Sequence, residues 1–169
     1  EFTQGFLKET QESAVQGSRF LSATLPPGKH YDYEVDASLF GLFIRADHPL
    51  SEKASITGGV RFQYTNYRYD NKMINGRTKE DGTTCGFGGC RFSRPSDRED
   101  SFSNLSPNIG FIYKFNSSSQ AYASLARGFR APQTTELYRL QNQQEVANID
   151  EVELDSIEIG FRSQGDRSV

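Results

Sequence analysis

The sequence predicts an all-β protein, an antiparallel meander of about six strands in a sheet with one apolar and one wet face. Three observations predict it. Segments of alternating apolar and polar residues recur along the chain, which is the period-two signature of a half-buried strand. The connections between them alternate between tight polar turns and long polar stretches, an asymmetry typical of barrels that cross a membrane on strands. The composition fits too. Of 169 residues only 35% are hydrophobic, yet 12% are aromatic, from 13 Phe and 8 Tyr without any Trp. Leu, Ile and Val are scarce for a compact core, while Gly, Ser, Asn, Gln and Thr are plentiful.

The same composition excludes several classes. No window approaches the ~18 consecutive apolar residues of a transmembrane helix. A net charge of −3 gives no reason to expect a nucleic-acid partner. The chain opens mid-pattern at Glu1-Phe2 with no basic-then-apolar leader, so it is expected to be a piece of a longer protein.

Element by element, "GFLKETQ" opens the first strand, and "SRFLSATLPPGKHYD" is an early loop. "VDASLFGLFIRAD" is the second strand, apolar on both sides around Leu39 to Ile44. "HPLSEK" is a tight turn. The clearest strand follows in "ASITGGVRFQYTNYRYD". Ile56, Val60, Phe62 and Tyr64 fall on one face, and Thr57, Arg61, Gln63 and Thr65 on the other. The apolar face is expected to end in an aromatic girdle of Tyr64, Tyr67 and Tyr69. A long polar stretch over 70–101 leads to "SPNIGFIYKF", where Ile109, Phe111 and Tyr113 alternate with Asn108, Gly110 and Lys114. "NSSS" is a second tight turn into "QAYASLARGFRA". Another long stretch, over 132–151, allows a turn or two of helix from the spacing of Leu137, Leu140 and Val146. The last strand, "LDSIEIGFRS", sets Ile157, Ile159 and Phe161 against Glu158 and Arg162. The faces assign Ile56, Val60, Phe62, Ile109, Phe111, Ile157 and Ile159 to lipid, and Arg61, Gln63, Asn108, Glu158 and Arg162 to the lumen.

Residues with chemical potential are few. Cys85 and Cys90 stand in "CGFGGC", a Gly-rich loop, where a small disulfide in an oxidising compartment is the favoured reading. A metal site would need further ligands, and neither His30 nor His48 is near in sequence. Those two histidines fall in a loop and a tight turn at opposite ends of the sheet, so no nucleophile–base arrangement can be built on them. The acidic residues Glu80, Asp81, Asp97, Glu99 and Asp100 lack the regular spacing of a calcium loop. "GFGG" precedes no helix and carries no Lys-Ser/Thr, so no phosphate loop is supported. The chain is therefore expected to be no enzyme and to hold no cofactor. The strand "SLARGFRAP" ends at Pro132 in a rim of Arg127 and Arg130. These arginines can meet glycolipid phosphates, acidic loop residues such as Glu136, or an anionic ligand, with structural pairing favoured. With Tyr67 and Tyr69 they are the rim candidates for ligand contact.

"FSNLSPNIGFIYKFNSSSQAYASLARGFRAPQTTELY" resembles a stretch of the TonB-dependent outer-membrane receptors: a "SP" strand, a short periplasmic turn, then a strand running into a "GFRAP" rim. "LDSIEIGFR" is similar to the family strand that follows, and "HYDYEVDASLFGLFIRADHPLSEKASITGGVRFQY" to the hairpin upstream. The resemblance covers most of residues 30–163. It implies that residues 1–169 form part of a 22-stranded transmembrane β-barrel with long extracellular loops and short periplasmic turns. Plug domain, TonB box and terminal aromatic strand are not among the matching motifs. It further implies active transport across the outer membrane of a Gram-negative bacterium. The ligand would be a ferric siderophore or similar small molecule, and energy would arrive from TonB and its inner-membrane complex. Cobalamin, haem and oligosaccharide receptors share the fold. Two alternatives remain at this level, a passive porin-type barrel and a soluble extracellular β-sandwich binding module.

Overall fold

The computed structural model describes residues 1–13, 18–141, 144 and 149–164, with the backbone alone at Phe20. Six strands form one antiparallel sheet. They are β1 (Phe2–Ser13), β2 (Gly28–Pro49), β3 (Ala54–Asn71), β5 (Arg98–Lys114), β6 (Ser119–Arg130) and β8 (Val152–Ser163), each hydrogen-bonded to the next in that order. A two-residue strand β4 (Phe92–Ser93) pairs with β7 (Leu140–Gln141) in a separate small ribbon. Two short helices, α1 (Arg19–Thr24) and α2 (Thr134–Tyr138), lie in the long connections. The sheet is curled like part of a barrel wall, and β1 and β8 do not pair with each other.

The tight turns fall where expected and have local causes. After Pro49, Ser51 Oγ accepts from the Ala54 backbone N–H at 3.0 Å, and Leu50 N–H reaches Ala54 C=O at 2.9 Å. After Lys114, Asn116 Oδ1 accepts from Ser118 N–H at 2.9 Å while Phe115 N–H closes onto Ser119 C=O at 3.0 Å. Such side-chain-to-backbone closures set hairpin register locally. From there β2 and β3 pair without a break from Pro49↔Ser55 up to Tyr33↔Asn71.

Unbroken register decides the faces. Ile56 pairs with Phe111, Phe111 with Ala123, and Ala123 with Ile159, while Ile109, Leu125 and Ile157 form the next row. These side chains share one face. Ile157 and Ile159 are 76% and 81% exposed, so among the described residues no second layer covers them. Arg61, Gln63, Asn108, Glu158 and Arg162 share the opposite face. The lengths are informative as well. About 9–11 tilted residues cross a bilayer, whereas β2, β3 and β5 have 22, 18 and 17. The surplus lies toward the long loops. There the outward face changes from Leu42, Phe62 and Leu105 to Asp36, Arg68 and Glu99. The apolar belt ends where the acyl chains would.

The aromatic girdle differs from expectation. Tyr64 is on the outward face at the upper limit of the belt, but Tyr67 and Tyr69 share the inward face with Arg61 and Gln63. Strict alternation forces this, because 64 and 67 have opposite parity in an unbroken strand. At the turn end, Tyr113, Phe115 and Phe161 do form an outward ring cluster, with centroids 5.2 and 6.0 Å apart. Phe43 also departs from simple patterning, standing 75% exposed on the inward face beside Arg61, away from the aromatic residues nearer the long loops. On that face Gly160 leaves room for a neighbour. A Cβ there would lie 2.3 Å from the Tyr122 ring, which lies across the glycine under Arg162 and donates to Glu158 at 2.9 Å.

Candidate functional site: the inward loop cluster

The long connections are not loose. They fold onto the inward face of the upper strands and build the only hydrophobic core among the described residues. Tyr31, Tyr33 and Val35 of β2, Tyr69 of β3 and Phe102 of β5 supply its floor. Phe92, Leu137, Tyr138 and the two cysteines cover it. Tyr138 stacks on Tyr69 at 4.3 Å, and Tyr33 tilts against Tyr69 at 5.1 Å. Each buried phenol needs a partner for its hydroxyl, and most have one. Tyr33 donates to Glu9 at 2.6 Å, Tyr138 to Asp100 at 2.9 Å, and Tyr31 to the Leu140 carbonyl at 2.5 Å. Burial, reinforced by the Asp100 hydrogen bond, holds the Tyr138 phenol well above its ordinary pKa. It stays a neutral donor.

Arg94 organises the longest loop. Only 2% exposed, it directs its guanidinium at three main-chain oxygens, two in its own loop and one in β2: Ile74 at 2.6 Å, Thr78 at 2.6 Å and His30 at 3.0 Å. Thr78 Oγ1 adds a contact at 2.9 Å, and the Phe92 ring lies beneath at 5.2 Å. Its charge is balanced by carbonyl dipoles, with desolvation drawing its pKa down. The loop is thus wrapped around one cation.

Cys85 and Cys90 are bonded, with Cα atoms 4.8 Å apart. The ring is not a free loop tip: Cys85 and Cys90 are 5% and 0% exposed. It docks on α1 instead. Gly86 N–H donates to Ala23 C=O at 2.8 Å, and Arg91 N–H to Thr24 C=O at 3.0 Å. This joins the β3–β5 loop to the β1–β2 loop. His30, placed in a loop by the sequence, starts β2 and is buried. Its Nε2 donates to Pro26 C=O at 2.7 Å and its ring stacks on Phe92 at 4.5 Å. His48 lies at the far end of β2. No group of three or more His, Cys, Asp or Glu among the described residues can hold a metal ion.

The rim residues are accounted for by pairing. Arg127 stands on the outward face and grips Asp155 with two hydrogen bonds, at 2.6 and 2.7 Å. Arg130 reaches Glu136 at 3.4 Å. Tyr67, partly buried, meets Phe102 edge-on at 6.0 Å, and Tyr69 lies inside the core. The helix foreseen after Pro132 is the single turn α2, Leu140 belongs to β7, and Val146 lies outside the described residues.

Glu136 caps that turn. Its carboxylate accepts from Gln133 N–H at 2.6 Å, and this bond, then Arg130, lowers its pKa below the usual 4.5. A depressed carboxylate stabilises the fold above its unfolded pKa and loses that contribution as pH falls through the folded value. Amide exchange of residues 133–138, corrected for intrinsic rate, should therefore accelerate below pH ~4. Flat protection down to pH ~3 would remove Glu136 from this role.

Beside the core opens a cavity of about 520 Å³, between β1, the start of β2 and the small β4–β7 ribbon. His30, Tyr31 and Phe92 give it aromatic walls, Arg91 and Arg139 its charge, and Gln11 and Gln141 neutral polar edges. It lies at the long-loop end, on the inward face.

These features, an open apolar-belted sheet with tight turns at one end and an inward-folded, pocketed loop cluster at the other, meet a matching family model. The model for the TonB dependent receptor-like β-barrel matches residues 6–169. The chain belongs to the TonB-dependent receptor β-barrel family. No curated protein matches it. The family is one of outer-membrane transporters rather than enzymes, and it couples uptake of small ligands to TonB. No described helix is long and apolar enough to cross a membrane. The loop cluster and its cavity lie together at the end of the sheet away from the tight turns.

Proposed function

We propose that this TonB-dependent receptor imports a ferric siderophore across the outer membrane of a Gram-negative bacterium. Residues 1–169 would supply barrel wall and entrance loops to a larger closed barrel. The observation that carries the reading is the family match over residues 6–169. The outer edges of β1 and β8, which pair with no other strand among the described residues, support membership in a larger barrel, because open edges of such length are otherwise association sites. A β-sandwich would need a second sheet on the apolar face, and among the described residues that face is bare. A passive porin needs no entrance cluster built on a buried arginine and a disulfide.

The test is growth under iron limitation of a strain lacking its other receptors, supplied with ferric siderophores of differing chemistry. Expression of the receptor should restore growth with at least one of them, and only when TonB is present. Growth restored equally without TonB would indicate passive diffusion. Growth restored by none, with energised uptake of another solute, would replace the siderophore with that solute.

A further inference from the structure

We propose that the sheet is open between β5 and β6 above Pro107, and that the opening holds one acyl chain of a membrane lipid. The inference rests on the outward face being the lipid-facing one. It does not depend on which solute is transported.

The opening is visible in the pairing. β5 has 17 residues and β6 has 12, yet their ladder covers only Asn108↔Ala126 to Lys114↔Gln120. Above it each strand keeps its other neighbour: β5 stays on β3 up to Arg98, and β6 on β8 up to Arg130. The cause is local. Lys114 N–H points toward β3, to Lys53 C=O, and Phe115 N–H toward β6, to Ser119 C=O. Backbone groups alternate sides along a strand, so the odd-numbered residues of β5 turn their amides to β6. After Ile109 the next donor due is residue 107, a proline with no N–H to give. The ladder ends there. The amides of Ser101, Ser103 and Leu105 then face a gap rather than a strand. On the inward side the loop cluster backs this gap, with Phe102 and Asn104 buried and Tyr138 donating to Asp100.

At the foot of the gap the outward surface is hollowed into a groove of about 370 Å³ across β5, β6 and β8. The outward side chains around it are Pro107, Ile109, Leu125, Arg127, Asp155 and Ile157. The two charged ones are spent on each other: Arg127 holds Asp155 at 2.6 and 2.7 Å, with Glu153 at 3.8 Å. What remains on offer is aliphatic. Depth agrees with this. Ile109, Leu125 and Ile157 form one row of the apolar belt, and Leu105 stands at the upper limit of that belt. The groove thus lies at acyl-chain depth, and the open amides begin where headgroups and water begin. Unpaired amides are tolerated there and not lower down. The volume is within the range of small organic ligands. A chain lying in the groove touches three strands at once, so it gains more close contacts than one lying on the plain belt.

The probe is phosphatidylcholine with a diazirine midway along one acyl chain, at trace level in phosphatidylethanolamine–phosphatidylglycerol vesicles holding the full receptor. After illumination, mass spectrometry maps the labelled residues. Adducts should favour Ile109, Leu125 and Ile157 about fivefold over Leu42 and Ile44, which are 58% and 68% exposed on the same face. Phosphatidylglycerol bearing the same chain should label equally, because the chain is what is held. Leu125→Trp fills the groove and should lower labelling of Ile109 and Ile157 about fivefold. Ile109→Trp fills it from the other bank and serves if the first variant assembles poorly, while Leu42→Trp should change nothing. Amide exchange should be fast at Ser101 and Ser103 and slow at Ile109 and Phe111. Even labelling along the belt would mean surrounding lipid only, and would overturn the proposal. So would unchanged labelling in the groove-filling variants, a preference for the phosphatidylglycerol, or slow exchange at Ser101 and Ser103. No labelling anywhere on the outward face would overturn the lipid-facing assignment as well. Growth on ferric siderophores has no bearing on this result, so each reading can fail without the other.

Discussion

Phe111→Arg should block assembly of the barrel in the outer membrane, whereas Asn108→Arg should leave folded protein at near wild-type level. The two positions are three residues apart in β5 and point to opposite faces. Phe111 sits in the middle of the outward belt, flanked by Ile56 on β3 and Ala123 on β6, with Ile159 beyond. An arginine there has only acyl chains around it, at a cost of about 2–4 kcal/mol near the midplane. That is a large fraction of the marginal stability of a folded domain. Asn108 faces inward, where its amide lies across Gly59 within 2.9 Å of where a Cβ would stand. A longer polar side chain can rise from that spot into the wet interior. The readout is the fraction of heat-modifiable, protease-resistant protein in outer-membrane preparations. Equal losses from the two substitutions would mean that the inward face is packed rather than wet, or that the faces are reversed.

The strands were legible in the sequence because their signal is local and repetitive. Ile56 through Thr65 alternate without interruption, and the tight turns carry the Ser51 and Asn116 side chains that close them. A period of two, once anchored, gives every face assignment along β3, β5 and β8. The same rule would have moved Tyr67 and Tyr69 to the inward face, had parity been followed past Tyr64 instead of reading the tyrosines as one cluster. The loop cluster was much less legible. Its contacts are between residues far apart in sequence, such as Tyr31 with Leu140 and Arg94 with His30, and no periodicity marks them. Length and polarity made these loops look structureless. The available hints were compositional: tyrosines at the tops of the strands, a Cys pair, and Arg94 beside Pro95 in an otherwise polar run. The rim arginines show the converse. Arg127 and Arg130 form an unusual cluster in the sequence, yet both are paired with carboxylates, whereas Arg91, in no motif at all, lines the cavity with no ion pair among the described residues.

Arg94→Met should release the β3–β5 loop while the barrel wall stays intact. The substitution keeps most of the aliphatic volume but removes every donor that holds the Ile74, His30 and Thr78 carbonyls. A hydrogen bond to a charged group contributes about 1.5–3 kcal/mol, and a buried acceptor left without a donor costs about 1–3 kcal/mol. Several of these at once exceed what a loop cluster of one small core can absorb, since local units open with less free energy than the whole fold. Arg94→Lys should fail almost as badly, because a single ammonium cannot span three carbonyls set around a planar fork. The wall should be indifferent, since its strands are held by their own ladders from Pro49↔Ser55 to Tyr33↔Asn71. Limited trypsin digestion of the receptor in membranes separates the two outcomes. Arg77 and Lys79 lie in the affected loop, so cleavage there should rise strongly in Arg94→Met while heat-modifiable mobility is retained. The cut products would stay joined only through the barrel, because the Cys85–Cys90 bond closes a ring C-terminal to both cleavage points. If the loop in Arg94→Met resists trypsin like the wild type, the tyrosine core and the disulfide hold the cluster by themselves, and the buried cation is a passenger in a fold that others determine.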